Sequence, residues 1–458
     1  MEQCWWLATA GEDGDGRDAA PLVGERRADV CVVGGGYLGL WTALRLREER
    51  PELEVALVER HRCGDGASGR NAGFALTLWH HVGGLEAVCG AEEALRLCHE
   101  SERAVGEIER FCADHAIAAD VRRRGWLWAA GNEAQRDAWA STVAVAARHG
   151  QTPFAALPDA EAATRTGSPR YVAAVHEAVA ATLQPAALAR GLRRVAIERG
   201  VRIHERTPMT RLDRDGAGPV VVTPRGRIAA GRVVLCLNAW TVGLPGLGRA
   251  LAVVGSDVVV SEPATAALDA AGIPTGLAVS DSRLMVEYHR RTVDDRLVFG
   301  KGGLALGRGA RPPRPDPRRA ALVGERLRRT YPQLAALPLA AAWSGPIDRT
   351  VDGLPFFTTL APGVLCGAGF SGNGVVTTLL GARILTALAL DRDDDWSRSG
   401  LVRRPPRGMP PEPLRWAAGQ LVRGAVGRKE AREDAGRPVA PLLRRLAGLA
   451  PTGLVPSA

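Results

Sequence analysis

Lysine is almost missing from this chain: Lys301 and Lys429 are the only two. The net charge of +9 is therefore carried by arginine, which reflects genomic base composition as readily as a polyanionic partner. The basic excess is noticeable in the tail, at Arg403, Arg404, Arg407, Arg415, Arg423 and Arg428. A nucleic-acid reader would need a basic stripe interleaved with aromatics on a recognisable module, and none is present, so nucleic acid is not expected as a partner. Eight cysteines are scattered without a C-x-x-C pair. Cys31, Cys236 and Cys366 fall inside apolar runs, the pattern of buried free thiols in a reducing compartment. No apolar run approaches the ~20 residues of a membrane span. The start of the chain lacks the basic and apolar regions of a secretion signal, so a soluble, cytoplasmic protein is expected. No Ser/His/Asp triad is legible, and the neighbouring His80 and His81 lack further ligands for a metal site.

What is present begins at Ala28. A short apolar run, Val30 to Val33, ends in Gly34, Gly36 and Gly39 at G-x-G-x-x-G spacing, followed by an amphipathic segment and a second apolar run closing at Glu59. This is the dinucleotide-binding fingerprint in its strand–turn–helix–strand context. Gly34 permits the tight turn, Gly36 lets backbone approach a pyrophosphate, and Gly39 lets the helix pack close to the sheet. The helix N-terminus presents unpaired N–H groups to phosphate, and Glu59 is placed to accept from a ribose hydroxyl.

Further along, residues 91–150 read as helices enclosing a strand at Trp126–Ala130, and Pro185 opens another helix. Strands are expected at Val201–Ile203, Val220–Thr223, Val233–Leu237, Ala252–Ser261 and Leu284–Tyr288, and a strand–glycine turn–helix at 363–390. Nucleotide-type elements thus occur early, midway and late, with β-rich stretches between them.

The loop after Glu59 reads Gly66-Ala-Ser-Gly-Arg-Asn-Ala-Gly73. Downstream come Thr182-Leu-Gln-Pro185, Val234-Leu-Cys-Leu-Asn-Ala-Trp240, Asp352-Gly-Leu-Pro355, Gly367-Ala-Gly-Phe-Ser-Gly-Asn-Gly374 and Pro410-Pro-Glu-Pro-Leu-Arg415. Together these resemble the D-amino-acid-oxidase-like family of FAD-dependent oxidoreductases, in its gamma-glutamylputrescine oxidase branch. Asn132-Glu-Ala-Gln-Arg136 resembles a segment of the aminophosphonate oxidoreductase subgroup. The resemblance implies an α/β fold, with a Rossmann-like FAD-binding domain interleaved with an α+β substrate domain carrying a mixed or antiparallel sheet. Expected boundaries are a leader at 1–27, with Trp5 and Trp6 packed onto the body. The FAD-binding parts are then 28–85, 151–245 and 341–395, the substrate-domain parts 86–150 and 246–340, and a basic helical tail 396–458.

The resemblance further implies FAD as cofactor and oxidation of a small amine, amino acid or aminophosphonate, the flavin taking hydride from the carbon beside the amine and O2 or another acceptor reoxidising it. It assigns cofactor contacts to Ser68, Arg70 and Asn71, to the backbone at Met209, and to Gly369, Ser371, Gly372, Asn373 and Gly374. Many relatives have histidine where Asn373 stands. Tyr288, His289 and Arg349 are the candidates for substrate contact, Arg349 as a bidentate partner for carboxylate or phosphonate. Lys301 is the candidate for promoting reaction with O2. His80 and His81 are placed at the active site or on the surface, and Cys63 or Cys366 is a conceivable covalent flavin anchor. A dehydrogenase with another acceptor and a non-catalytic flavoprotein remain as alternatives. An NADP-linked reductase, prompted by Arg60 and Arg62, is opposed by the charge of Glu59.

Overall fold

Two eight-stranded sheets form the body. The computed structural model describes residues 4–11, 19–216 and 218–451; the remainder of the expected leader and the end of the tail lie outside them. In the first sheet, strands Val364–Ala368, Gly226–Leu235, Gly24–Val33, Val55–Val58 and Arg202–His204 run parallel, in that order. Phe356–Ala361 closes one edge antiparallel, and Arg211–Asp215 with Gly218–Val222 adds a hairpin against Gly226–Leu235. Val30–Val33 and Val55–Val58 are buried throughout, as parallel strands covered on both faces must be. Helices Tyr37–Glu49 and Gly374–Ala389 lie on the sheet. They pack closely because Gly381 has no side chain: a Cβ there would sit 2.6 Å from the Phe357 ring.

The second sheet runs Leu339–Arg349, Ala252–Ser261, Leu297–Leu306, Glu287–Arg291, Ala278–Asp281, Trp126–Ala130, Ala173–Glu177 and Ala155–Ala156. All its pairs are antiparallel except Ala278–Asp281 with Trp126–Ala130. Its strands split their side chains between two faces. Along Ala252–Ser261, Val258 and Val260 join the large core shared with the first sheet. Val259 joins a separate core under helix Pro317–Thr330, where Arg319 pairs with Asp257 at 3.0 Å.

The chain changes sheets later than the sequence suggests. Ala155–Ala156 and Ala173–Glu177 belong to the second sheet, not to the FAD-binding side expected from residue 151, and so does Leu339–Arg349, expected to leave it at 341. The alanine-rich composition of these segments carries no alternation to betray their face. The strand expected at Leu284–Tyr288 runs instead over Glu287–Arg291, since Arg283 sits in a turn fixed by Asp281. Gly24–Arg27, assigned to the leader, extend the first strand. Trp6 is buried, in T-shaped contact with Trp343 at 6.3 Å.

Among the described residues no helix is long and apolar enough to cross a membrane, and no group of His, Cys, Asp or Glu could hold a metal ion. All eight cysteines are unpaired.

Glu177 faces Trp126 across its strand pair and is fully enclosed, and burial pushes its carboxyl up to about 7. A raised carboxyl binds its proton more tightly folded than unfolded. Its contribution is therefore complete below the ordinary carboxylate range and is lost as pH rises toward 7. Glu177→Gln should match the parent at pH 4.5 and exceed it at pH 8 by on the order of 3 kcal/mol, read by denaturant unfolding at both pH values; an equal difference at both would reject the assignment.

Candidate functional site

The first strand ends where its neighbours on either side connect in opposite directions, the switch point at which such sheets bind ligands. Gly34 turns there with φ +111°, and a Cβ would lie 2.4 Å from the Cys236 carbonyl. A Cβ on Gly39 would lie 1.9 Å from the Gly34 carbonyl, so only glycine lets the helix approach. Gly36 caps helix Tyr37–Glu49 without a side-chain bond, and the Tyr37 N–H donates to Ser68 Oγ at 2.9 Å. The Glu59 carboxylate is fixed by the N–H groups of Gly35 and His61, at 2.7 and 2.9 Å. Thr207 N–H donates to the Glu59 carbonyl at 2.7 Å and brings Met209 across from it. Glu59, Met209 and Arg60, the last stacked 4.5 Å over Trp240, line one cleft of about 710 Å³, within the range of small-molecule sites.

The loop from Gly64 to Gly73 forms the floor where this cleft continues. Asn71 spends its amide on the loop itself, donating to the Ser68 carbonyl and accepting from Gly73 N–H, both at 2.7 Å. Arg70 donates through Nε to the Asp65 carbonyl at 2.8 Å, and its carbonyl accepts from Trp343 Nε1 at 2.9 Å. Among the described residues no carboxylate pairs with its guanidinium, and Arg70 lines the cleft. Beyond Arg70 a second cavity opens, lined by Tyr288, Arg349, Ser371, Gly372, Asn373 and Gly374. Tyr37, Ser68, Arg70, Asn238 and Phe370 line both cavities, so the early and late glycine regions lie along one trough.

The late glycine turn is shaped by Asp348. Its carboxylate accepts from Gly369 N–H at 2.6 Å, and its carbonyl accepts from Ser371 N–H at 2.9 Å. Burial pushes this carboxyl up to about 7, against the pull of those backbone donors. Gly369 and Gly372 have φ of +88° and +100°, and Ser371 adopts +53°. Helix Gly374–Ala389 then starts with Asn373 as a cap that makes no side-chain cap bond, and its first residues Gly374 and Val375 line the cavity. Asn373 meets His80 Nε2 at 3.3 Å. Both His80 and His81 are buried and held below their ordinary range by desolvation, His81 to about 4. Their surface reading is thereby replaced, and an imidazole stands behind the asparagine.

Tyr288 walls the cavity, its hydroxyl 2.7 Å from Ser256 Oγ, and its ring lies where a Gly300 side chain would be, 2.1 Å from a Cβ there. Arg349 is 7% exposed, and its side chain makes no hydrogen bond or ion pair among the described residues. Burial lowers its guanidinium to about 10.

Two expectations are corrected. His289 points to the far face of the sheet, stacked on Phe299 with Nε2 2.6 Å from the Tyr331 hydroxyl. Lys301 lies on that same far face, donating to the Met285 carbonyl at 2.7 Å and Glu287 at 3.2 Å. Its partners Glu287 and Glu430 belong to a buried charge cluster with Asp281, Arg283, Arg326 and Asp434, which fastens helix Leu414–Asp434 to the sheet. Both miss the cavity for one reason: strand side chains alternate, and Tyr288 and Gly302 take the inner face. Cys63 and Cys366 are buried and line neither cavity. The sequence reading named none of Asp348, Asn238 and Ser256 as site residues; Asn238 lay inside the quoted Val234–Trp240 segment and Asp348 just before Asp352-Gly-Leu-Pro355, while Ser256 offered no signal.

The trough suits FAD on its own terms. Its glycines leave no room for side chains, Arg70 is available to phosphate, and Asn238 presents a buried Oδ1 with no partner. A family model described as FAD dependent oxidoreductase (DAO) matches residues 29–388. The chain is 31% identical over 402 residues to the probable oxidoreductase OrdL of Rhizobium meliloti, covering 85% of this chain and 89% of that protein. It is 32% identical over 365 residues to gamma-glutamylputrescine oxidoreductase of Escherichia coli, covering 79% and 83%. Glycine oxidase from Geobacillus kaustophilus superposes with a TM-score of 0.68 at 22% identity, over 84% of this chain and all of that one, a likeness of fold. With the trough built for an extended dinucleotide, these matches establish that the chain belongs to the DAO family of FAD-dependent oxidoreductases.

Proposed function

We propose that the protein oxidises a small amine, amino acid or aminophosphonate that carries an acidic group, giving an imine that hydrolyses to a carbonyl compound, with O2 as the electron acceptor. The observation that carries this reading is Arg349, a buried cation without a partner among the described residues, at the cavity end of the cofactor trough. Bound FAD supplies the hydride acceptor. The chain's own residues bind and orient. Arg349 pairs with the carboxylate or phosphonate, which fixes the neighbouring carbon. Tyr288 and Ser256 form a rigid polar wall, while Phe74, Leu76, Val286 and Ile347 exclude water. The open N-terminus of helix Gly374–Ala389, with the backbone from Ser371 to Gly374, would favour negative charge on a cofactor held beside it. Glu59, Met209, Arg70 and Ser68 hold the nucleotide half. The named relative, gamma-glutamylputrescine oxidoreductase, supports an amine. Eight unpaired cysteines suit a reducing, cytoplasmic setting. A dehydrogenase handing electrons to another acceptor is the second reading, favoured by the absence of Lys301 from the cavity.

The purified protein should be yellow, bleach anaerobically with its amine, and regain colour with peroxide on admitting air. No bleaching by any amine, amino acid or aminophosphonate would reject the reading, whereas slow recolouring would select the dehydrogenase. Arg349→Ala should raise KM for acidic amines about 100-fold, the equivalent of roughly 3 kcal/mol for a charged hydrogen-bonded pair, and leave neutral amines unchanged. Gly300→Ala displaces the Tyr288 ring and should lower kcat/KM at least tenfold with the FAD spectrum retained. Lys301→Met strands buried carboxylates and should cost roughly 3 kcal/mol in denaturant unfolding with the rate of reoxidation by O2 unchanged; slowed reoxidation at parental stability would return Lys301 to the acceptor chemistry.

A further inference from the structure

Arg349 belongs to two cavities. Besides the flavin-side cavity, it lines a chamber of about 430 Å³ at the end of the second sheet, roofed by helix Leu414–Asp434. The walls of this chamber are apolar, with Leu284, Met285, Leu306, Val422 and Val426 among them. Two other arginines line it, and both donate to groups of the protein itself. Arg415 donates to the Leu251 carbonyl and to Glu412, each at 3.0 Å. Arg423 donates to the Leu304 carbonyl at 3.1 Å and to Gln420 at 3.0 Å. Arg349 alone among these three has no protein partner among the described residues.

A single anion at Arg349 thus has the reacting cavity on one side and a greasy chamber on the other. We infer that the substrate carries an apolar arm, alkyl or aryl, attached next to its acidic group, and that this arm occupies the second chamber while the amine-bearing carbon stays in the first. This inference rests on the anion-binding reading of Arg349 and goes beyond it by naming the substrate class: a hydrophobically extended amino acid or aminophosphonate, not a small polar one. The physical basis is complementarity. The chamber's walls are mostly apolar, so a polar arm would lose hydration with little replacement, whereas each methylene placed there leaves water.

The test uses straight-chain carboxylates from acetate to octanoate, which have no amine and cannot be oxidised, titrated into the FAD-loaded protein by calorimetry. Affinity should tighten about 4-fold per added methylene. Val422→Trp, on the tail helix, and Leu306→Phe, on the sheet, each fill the chamber and should flatten this dependence while leaving the acetate Kd within twofold. Arg349→Met should weaken every member at least tenfold. Binding that requires Arg349 but is indifferent to chain length would overturn the second chamber and spare the anion reading. Loss of chain-length dependence in neither filling variant would also overturn it. Acetate binding unaffected by Arg349→Met would overturn the anion reading itself.

Discussion

One buried carboxylate holds the two halves of this molecule in register. Asp348 ends the edge strand of the second sheet, and it receives the N–H of Gly369 from the turn that leaves the first. Its carbonyl takes Ser371 N–H, and Thr350 N–H next to it donates to Ser371 Oγ at 3.2 Å. The same strand reaches the cofactor loop midway along its length through Trp343 and the Arg70 carbonyl. The trough therefore has its floor and its closing turn tied to a single strand. Desolvation of Asp348 opposes this arrangement, and charge-assisted bonds from backbone donors offset it.

Period-two alternation then separates chemistry from cohesion. On the inner face of the second sheet stand Ser256, Tyr288 and the glycines 300 and 302, leaving a smooth wall with one hydroxyl pair. On the outer face stand Asp257, Glu287, His289 and Lys301, each matched by a partner from the covering helices or loops. Full pairing matters there because a buried ion stripped of its counter-ion is far more costly than the intact pair is stabilising.

The early glycine end of the trough was legible because its constraints are local. Gly34, Gly36, Gly39 and Glu59 lie within one strand–helix–strand unit, and each spacing follows from backbone geometry. Ser371 to Gly374 were legible as a glycine turn before an apolar helix. The substrate half was not, because which face of a strand looks inward depends on pairing with strands far away in sequence. Tyr288 and His289 are adjacent in a Glu-Tyr-His-Arg-Arg run buried on both faces, so composition gave no alternation to choose between them. Lys301 drew notice for its rarity, yet rarity says nothing about direction. Asp348 was passed over because its role is to fix a turn, and only the partner N–H groups reveal it.

The trough draws its walls from Gly34, Arg70, Met209, Asn238, Tyr288, Arg349 and Asn373, stretches scattered over most of the chain. No contiguous piece contains a working subset of them. Exchange of segments between homologues would therefore disrupt both ends of the cofactor's berth at once, and new specificities within this lineage are expected to arise by single replacements on the inner wall and beneath the tail helix, where a change of one residue alters what is bound without disturbing what binds it together.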